Sequence, residues 1–503
     1  MSLNLDPATT SVVPLGERIA GMPQNVVIRQ LYLGCLSLAS YVVGDARSGR
    51  AIAVDPRRDV SEIIAAADAE GLKIETVVQT HFHADFLSGH LELAAATGAE
   101  IAYGSVAQTE FESRKLADGE VIDLGSADQP GVQVEVWHTP GHTPESISLV
   151  VRPEPGAEPV AVLSGDALFI GDVGRPDLLA SLGASADDLG RMLYGSLERL
   201  MELPDQTLLL PAHGAGSACG KSLSTETVST MGEQRISNYA LRAVMSADTT
   251  IDQFVEMVTE DQPAAPGYFV SAAVGNRQDR PILDESAEVG LLDLDALDRV
   301  VANGAVVVDV RPPEEVARGY LKGSISVGLG GRFAEQVGSV VPVGSPVVLV
   351  GPSRSDQAHI HEAVVRLSRI GFDNVVGVLP DVEAVLASNP QRGVRLSRLT
   401  AEELESRRAN LGDGLQIVDV RNPGEITSTP LDGTVGEGAV NIPLAALRSR
   451  LSELDPTRPV VAICAGGARS AIAATLLCSE GFADVSDVRG GASALGATSS
   501  CSL

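Results

Sequence analysis

THFHADFLSGH, residues 80–90, directly follows the apolar run ETVVQ and puts His81, His83 and Asp85 at the end of a strand. Alternate residues of an extended chain point to one side, so the loop leaving such a strand can converge imidazoles and a carboxylate on a cation. Three more residues of ligating type follow later strands: His142 in TPGHTP, Asp166 in LSGDALF and His213 in LPAHG. From Val26 to His213, short β-rich runs such as VVIRQLYL, AIAVDP, VQVEVWH and ISLVV alternate with turns and helical stretches such as VSEIIAAADAEG. That alternation predicts a layered α/β domain with two sheets. Six of the eight histidines precede residue 214, which marks this segment as chemically specialised. Among them, His90 reads as part of a helix and His138 as a packed strand end.

The whole chain has 503 residues, 44% hydrophobic and 20% charged, which suits two to four domains with real cores. A formal net charge of −29 disfavours nonspecific attraction to nucleic-acid phosphates or an anionic membrane. No apolar run reaches the roughly 18 residues of a membrane span, and the N-terminal MSLNLDPATT lacks a basic stretch followed by an apolar one. The expected location is the cytoplasm. Five irregularly spaced cysteines favour reduced thiols over a disulfide framework.

From about residue 290 the sequence repeats itself. VVVDVRPPEE (306–315) returns as QIVDVRNPGE (416–425), and RIGFDNVVGV (369–378) as SEGFADVSDV (479–488). Each copy is long enough for its own small sheet covered by helices. The expected domains are 24–275, 285–395 and 396–497, with linkers at AVGNRQDRP (273–281) and NPQRG (389–393).

THFHADFLSGH, TPGHTP, SGDALFIGDVGRPDL and PAHGAGSACGK together resemble the persulfide dioxygenase branch of the metallo-β-lactamase superfamily, over roughly residues 25–270. The resemblance implies an αββα sandwich holding one Fe(II) per chain, with Zn(II) an alternative in purified protein. Matched motif by motif, the ligands would be His81, His142 and Asp166. A set of two histidines and one carboxylate with open positions is the usual arrangement for non-haem Fe(II) oxygen chemistry. Binuclear relatives read His-x-His-x-Asp-His; here the last position is Phe86, which cannot ligate and so argues against a second metal. His83, Asp85 and His213 are then groups behind the ligands or a vacant second site. Arg175, Ser217, Cys219 and Lys221 are candidate substrate contacts. The small-residue run before Lys221 could offer backbone N–H groups and a positive charge to an anion.

VVAICAGGARSAIAATLL (460–477) reads as a strand, a loop from Cys464 to Arg469 and a helix beginning near Ser470. Loop N–H groups, a helix N-terminus and Arg469 would all favour a thiolate at Cys464. With DVRNPGE and GAVNIPL before it, this copy resembles a rhodanese domain. That implies Cys464 as the residue accepting sulfane sulfur, with Arg469 beside it. The first copy has GPSRSDQAH (351–359) at the matching place and no cysteine, so it reads as catalytically inactive.

The expected architecture is therefore an α/β multidomain chain, an αββα sandwich followed by two rhodanese-like domains. The expected reaction is O2-dependent oxidation of a low-molecular-weight thiol persulfide to sulfite and thiol. It would be coupled to sulfur transfer from thiosulfate or another sulfane-sulfur donor through Cys464. The expectation includes neither nucleic acid nor membrane as a partner and leaves a homo-oligomer open. Its rivals are a glyoxalase II-like thioester hydrolase with a rhodanese fusion, and a non-catalytic sulfur-sensing or carrier protein.

Overall fold

The computed structural model describes residues 11–14, 23–178, 183, 185–285, 287–351, 357–431 and 433–499. They divide into two compact units, one within Met1–Gln262 and Phe269–Glu285, the other within Pro263–Tyr268 and Ser286–Leu503. No helix among the described residues is long and apolar enough to cross a membrane.

In the first unit, a seven-stranded sheet running from Ser11–Pro14 to Arg114–Leu116 faces a six-stranded sheet formed between Val121–Asp123 and Ser229–Thr230. The layer between them is built from alternate strand residues, among them Ile28, Val43, Val54 and Val78 from the first sheet and Val134, Leu149, Leu163 and Leu210 from the second. The residues in between face outward onto helices. Val42, Ala53 and Val77 pack with Ile63 and Ala67 of the helix Ser61–Ala69. Val150, Val162 and Leu209 meet Leu193 and Leu197 of the helix Ala186–Leu200. A strand buried on both faces must be apolar throughout, which is why ISLVV and AVLSG show little alternation. The result is the expected αββα sandwich.

The stretch 273–281, expected as a linker, is instead packed into this unit. Its first residues close the helix Phe269–Gly275, and Asn276 is fully buried. Arg280 reaches the buried Glu92 at 2.6 Å, beside Arg58. The polarity that suggests a linker here serves packing: Arg280 is paired with a buried acid and Arg277 lies over the Phe82 ring.

The second unit contains both repeats. In the first, four parallel strands lie in the order Ile325–Ser326, Val306–Asp309, Val347–Val350, Val375–Leu379. In the second, the matching order is Val440–Asn441, Gln416–Asp419, Val460–Ile463, Val485–Val488, extended by the parallel strand Ser397–Leu399. The fifth strand survives in the first repeat as a single parallel bridge between Leu291 and Val378. The expected linker 389–393 contains a 3-10 turn, Pro390–Arg392, and enters a strand, Gly393–Val394, that pairs with Tyr320–Leu321 of the first repeat.

Both repeats hold their DVR motif in the same way. Arg311 Nη2 donates to Asp309 at 2.7 Å and Arg421 Nη2 to Asp419 at 2.6 Å, and both arginines are buried. Arg421 also donates to the Thr429 carbonyl at 2.7 Å, tying the turn after the strand. A buried carboxylate left without its guanidinium costs about 3–5 kcal/mol. Arg421→Leu should therefore destabilise the second unit by about that amount, read as a lower urea midpoint by circular dichroism. An unchanged midpoint would show that Asp419 finds other donors.

Candidate functional site

The candidate ligands of the first unit lie just past the ends of strands. His81 follows Lys73–Val78, His142 follows Gln133–His138, Asp166 follows Ala161–Gly165 and His213 follows Leu208–Pro211. Gly165 adopts φ +54° in contact with Thr80, a conformation that swings the chain so Asp166 turns inward.

Ligand atoms of His81, His142 and Asp166 lie within 4.8 Å of one another, and all three residues are buried. The Nε2 atoms of His81 and His142 are 3.7 and 3.4 Å from Asp166 Oδ2. His213 Nε2 sits 3.5 Å from Asp166 Oδ1 and 3.5 Å from Asp85 Oδ2. His83, Asp85 and His213 form a second cluster of the same size, and Asp166, His213 and Cys219 a third.

The other ring nitrogens explain the orientation. His142 Nδ1 donates to the Arg175 carbonyl at 2.9 Å and His213 Nδ1 to the Ser37 carbonyl at 3.1 Å. His81 Nδ1 meets Thr80 Oγ1 at 2.9 Å, and that hydroxyl donates to Asp55 at 2.7 Å. Protons held on Nδ1 leave Nε2 lone pairs facing inward, as metal ligation requires. Burial holds the His142 imidazole down to about 4 and His81 well below its usual value, and raises the Asp166 carboxyl to about 6. The Nε2 atoms of His81 and His213 and both oxygens of Asp166 are buried without a hydrogen-bond partner. Neutral imidazoles around an unpartnered carboxylate are costly unless a cation joins them. The residues fit a metal ion.

His83 is placed differently. Its Nε2 lies 3.1 Å from Asp55 Oδ1, and its ring packs against Phe86 at 4.4 Å between centroids. Asp55, at φ +48° and buried, thus touches His83 directly and His81 through Thr80. Asn276 fixes the same loop from outside it, donating to the carbonyls of His83 and Phe86 at 2.8 and 2.9 Å and accepting from Ser88 N at 2.8 Å. Neither residue was singled out from the sequence. Asp55 carried a signal, an acid closing the strand of AIAVDP, while Asn276 lies almost two hundred positions from the loop it holds.

Among the candidate substrate contacts, Arg175 pairs with Asp177 at 2.6 Å. Ser217 Oγ accepts from Cys219 N at 3.1 Å, and burial pushes the Cys219 thiol well up. The Lys221 ammonium donates to the carbonyls of Met257 and Glu260 at 2.7 and 3.0 Å, closing the end of the helix Ile251–Thr259. Those carbonyls lack intrahelical donors, so a lysine near them is drawn to the helix end. His90 starts the helix His90–Thr97 and packs on Phe111; His138 ends its strand and meets the Leu116 carbonyl.

In the second unit, Cys464 is buried at the end of Val460–Ile463, and Gly467 N donates to its Sγ at 3.1 Å. Gly467 has φ +87°, and a Cβ there would meet Gly490 N at 2.9 Å, so the loop needs glycine at this place. The carbonyls of Cys464 and Ala465 accept from Ala492 N and Ser493 N at 2.7 and 3.1 Å. With those carbonyls engaged elsewhere, the Gly467 N–H is the loop donor that faces the sulfur. The helix begins at Ala468, two residues before the expected start. Arg469 forms a two-point pair with Glu425, at 2.7 and 2.6 Å, so its charge is shared with a carboxylate. Cys478, near the end of the same helix, is half-buried. In the first repeat, residues 352–356 of GPSRSDQAH lie outside the described residues.

Comparison with known proteins assigns the same two segments to known families. The family model of the metallo-beta-lactamase superfamily matches residues 33–213, and that of the rhodanese-like domain matches 293–381 and 400–498. A crystal structure of a metallo-beta-lactamase from Staphylococcus aureus is 30% identical with a TM-score of 0.62, and the match covers 71% of this chain and all of that one. The chain belongs to the metallo-beta-lactamase superfamily and carries rhodanese-like domains. Within the superfamily, a hydroxyacylglutathione hydrolase of Polaromonas is 32% identical over 35% of this chain and 61% of its own length. The mitochondrial persulfide dioxygenase ETHE1 of Bos taurus is 29% identical over 44% of this chain and 80% of its own. The chain thus spans less than two thirds of that hydrolase.

Loss of the hydrogen bonds that orient a ligating imidazole weakens metal sites about 10–100-fold. Asp55→Asn in the metallo-beta-lactamase domain should lower metal affinity within that range, measured by competition with a chromophoric chelator. Unchanged affinity would mean that Thr80 and the loop orient His81 unaided.

Proposed function

We propose that this chain is an iron-dependent persulfide dioxygenase with a sulfurtransferase module, organised as domains 24–275, 285–395 and 396–497. The carrying observation is the buried set His81, His142 and Asp166, two imidazoles and one carboxylate with ligand atoms within 4.8 Å of one another. A ligand set of this kind suits Fe(II) and leaves positions for small molecules. The Bos taurus persulfide dioxygenase adds weight to this reading.

A bound Fe(II) would supply the redox partner for O2 and a place for the persulfide sulfur. The protein's part is to position. His142 is held by the Arg175 carbonyl and His81 by Thr80, so neither ring need reorganise when substrate arrives. Buried walls around Asp166 exclude water that would hydrolyse or disperse a reactive sulfur species. The net reaction is RSSH + O2 + H2O giving RSH, sulfite and two protons: the S–S bond breaks, and the terminal sulfur passes four electrons to O2. In the second rhodanese-like copy, Cys464 would attack the sulfane sulfur of thiosulfate, releasing sulfite, and pass that sulfur to a thiolate as a persulfide. The thiol persulfide formed there is a substrate of the first site.

A second reading is supported by the cluster His83, Asp85 and His213 and by the Polaromonas hydrolase: a two-metal thioester hydrolase. Against it stand Phe86 beside His83 and the approach of His83 Nε2 to Asp55.

Asp166→Ala should abolish persulfide-dependent O2 uptake while keeping thiosulfate:cyanide sulfurtransfer, because the two chemistries use separate domains. Cys464→Ser should do the reverse, since a serine hydroxyl is neutral at pH 7 and carries no sulfane sulfur. An oxygen electrode and a thiocyanate assay read the two activities. Loss of both activities in either folded variant would contradict the modular assignment.

A further inference from the structure

The cysteine-less repeat touches its twin close to the sulfur-carrying loop. Ser326 N, on its edge strand, donates at 2.9 Å to Thr475 Oγ1, a buried hydroxyl on the helix Ala468–Ser479 that leaves the loop. Arg448 of the second repeat donates to the Val340 carbonyl of the first at 2.8 Å. At a third contact, Glu314 of the first repeat meets Arg398 Nη1 of the second at 2.5 Å.

Arg398 lies on the strand Ser397–Leu399, and its side chain is 4% exposed. Its guanidinium has three partners. Nε and Nη2 grip Asp487 at 3.0–3.2 Å, Nη2 also donates to the Gly467 carbonyl at 3.0 Å, and Nη1 takes Glu314. Helix N–H groups already turn the Cys464 and Ala465 carbonyls away from the sulfur; Arg398 does the same for the carbonyl of Gly467, whose own N–H donates to Cys464 Sγ.

Asp487 leads to the sulfur by a second route. Cys464 Sγ donates to Ser470 Oγ at 3.5 Å, and Ser470 Oγ donates in turn to Asp487 Oδ2 at 3.4 Å. The Ser470 hydroxyl thus accepts from the thiol and gives its own proton to Asp487, and a guanidinium holding both carboxylate oxygens keeps Asp487 in place as the acceptor that ends this chain. The other charged pairs around the loop, Arg469 with Glu425 and Arg421 with Asp419, are closed on themselves.

We propose that Arg398 is a positioning residue for Cys464, and that the cysteine-less repeat holds it in place through Glu314. The inference rests on the reading of Cys464 as the sulfur carrier, and under it the inactive repeat buttresses the loop of its active twin. A lysine at 398 keeps the charge but loses the fork that reaches Asp487 and Gly467 together.

The test uses the full chain in four forms: wild type, Arg398→Gln, Arg398→Lys and Glu314→Arg. Site-resolved mass spectrometry follows alkylation of Cys464 by iodoacetamide at pH 7, and thiosulfate:cyanide turnover is measured in parallel. Arg398→Gln should slow Cys464 alkylation about tenfold and lower kcat by a similar factor with KM for thiosulfate little changed; Arg398→Lys should recover part of both. Glu314→Arg changes an exposed side chain and leaves folding intact, yet should slow alkylation about two- to threefold by setting a like charge against Arg398. Unchanged alkylation in Arg398→Lys and Glu314→Arg would overturn the proposal, even if Arg398→Gln fails to fold. Slowed alkylation in a chain whose wild type turns over no thiosulfate would uphold the positioning role and overturn the sulfurtransferase reading alone.

Discussion

A buried carboxylate with no hydrogen-bond donor is the constraint around which the first domain is organised. Both Asp166 oxygens are shielded from water, and the imidazoles facing them present Nε2 lone pairs rather than protons. Such an arrangement is unstable by itself, since like-poled groups crowd in a region of low dielectric. The chain sustains it with bonds on the far side of each ring: Ser37 and Arg175 through carbonyls, and Asp55 through Thr80. A cation held between the rings and the carboxylate would offset that cost. The four strand ends that deliver these residues come from both sheets, so a cation held there would tie the two layers together.

Much of this was legible in the sequence, because it is local. A strand that ends in His-x-His-x-Asp declares its chemistry within a few residues, and the DVR and CAGGARS motifs announce their turns in the same way. Burial on both faces of a central strand is likewise written in an unbroken apolar run. What stayed hidden is long-range. Asn276 holds the 83–88 loop from a stretch whose polarity read as a linker, and nothing in AVGNRQDRP marks its asparagine as buried. Lys221 follows a glycine-rich turn that suggests an anion site, yet the carbonyls that take its charge belong to a helix some forty residues onward. Arg469 shows the same limit: its place beside Cys464 is local, but its partner Glu425 is supplied by an earlier turn of the same copy.

The two rhodanese-like copies show how a repeat diverges while keeping its frame. Asp309 with Arg311 and Asp419 with Arg421 share one bonding pattern, because that pair is buried and its loss would be costly wherever it stands. The cysteine is under no such structural constraint, and only one copy has it. The first copy, without that cysteine, keeps a strand edge and an acidic helix start that meet the second copy at Thr475 and Arg398. Packing surfaces outlast chemistry because they are tied to stability.

The central claim is that the His81, His142 and Asp166 set supports oxidation rather than hydrolysis. Its most direct test loads the full chain with Fe(II) without oxygen, adds a thiol persulfide and a known amount of O2, and counts metal, O2 consumed and sulfite formed. The account predicts about one iron per chain and one O2 consumed for each sulfite released. Two tightly held metals per chain, no O2 uptake, and rapid cleavage of a glutathione thioester would contradict it.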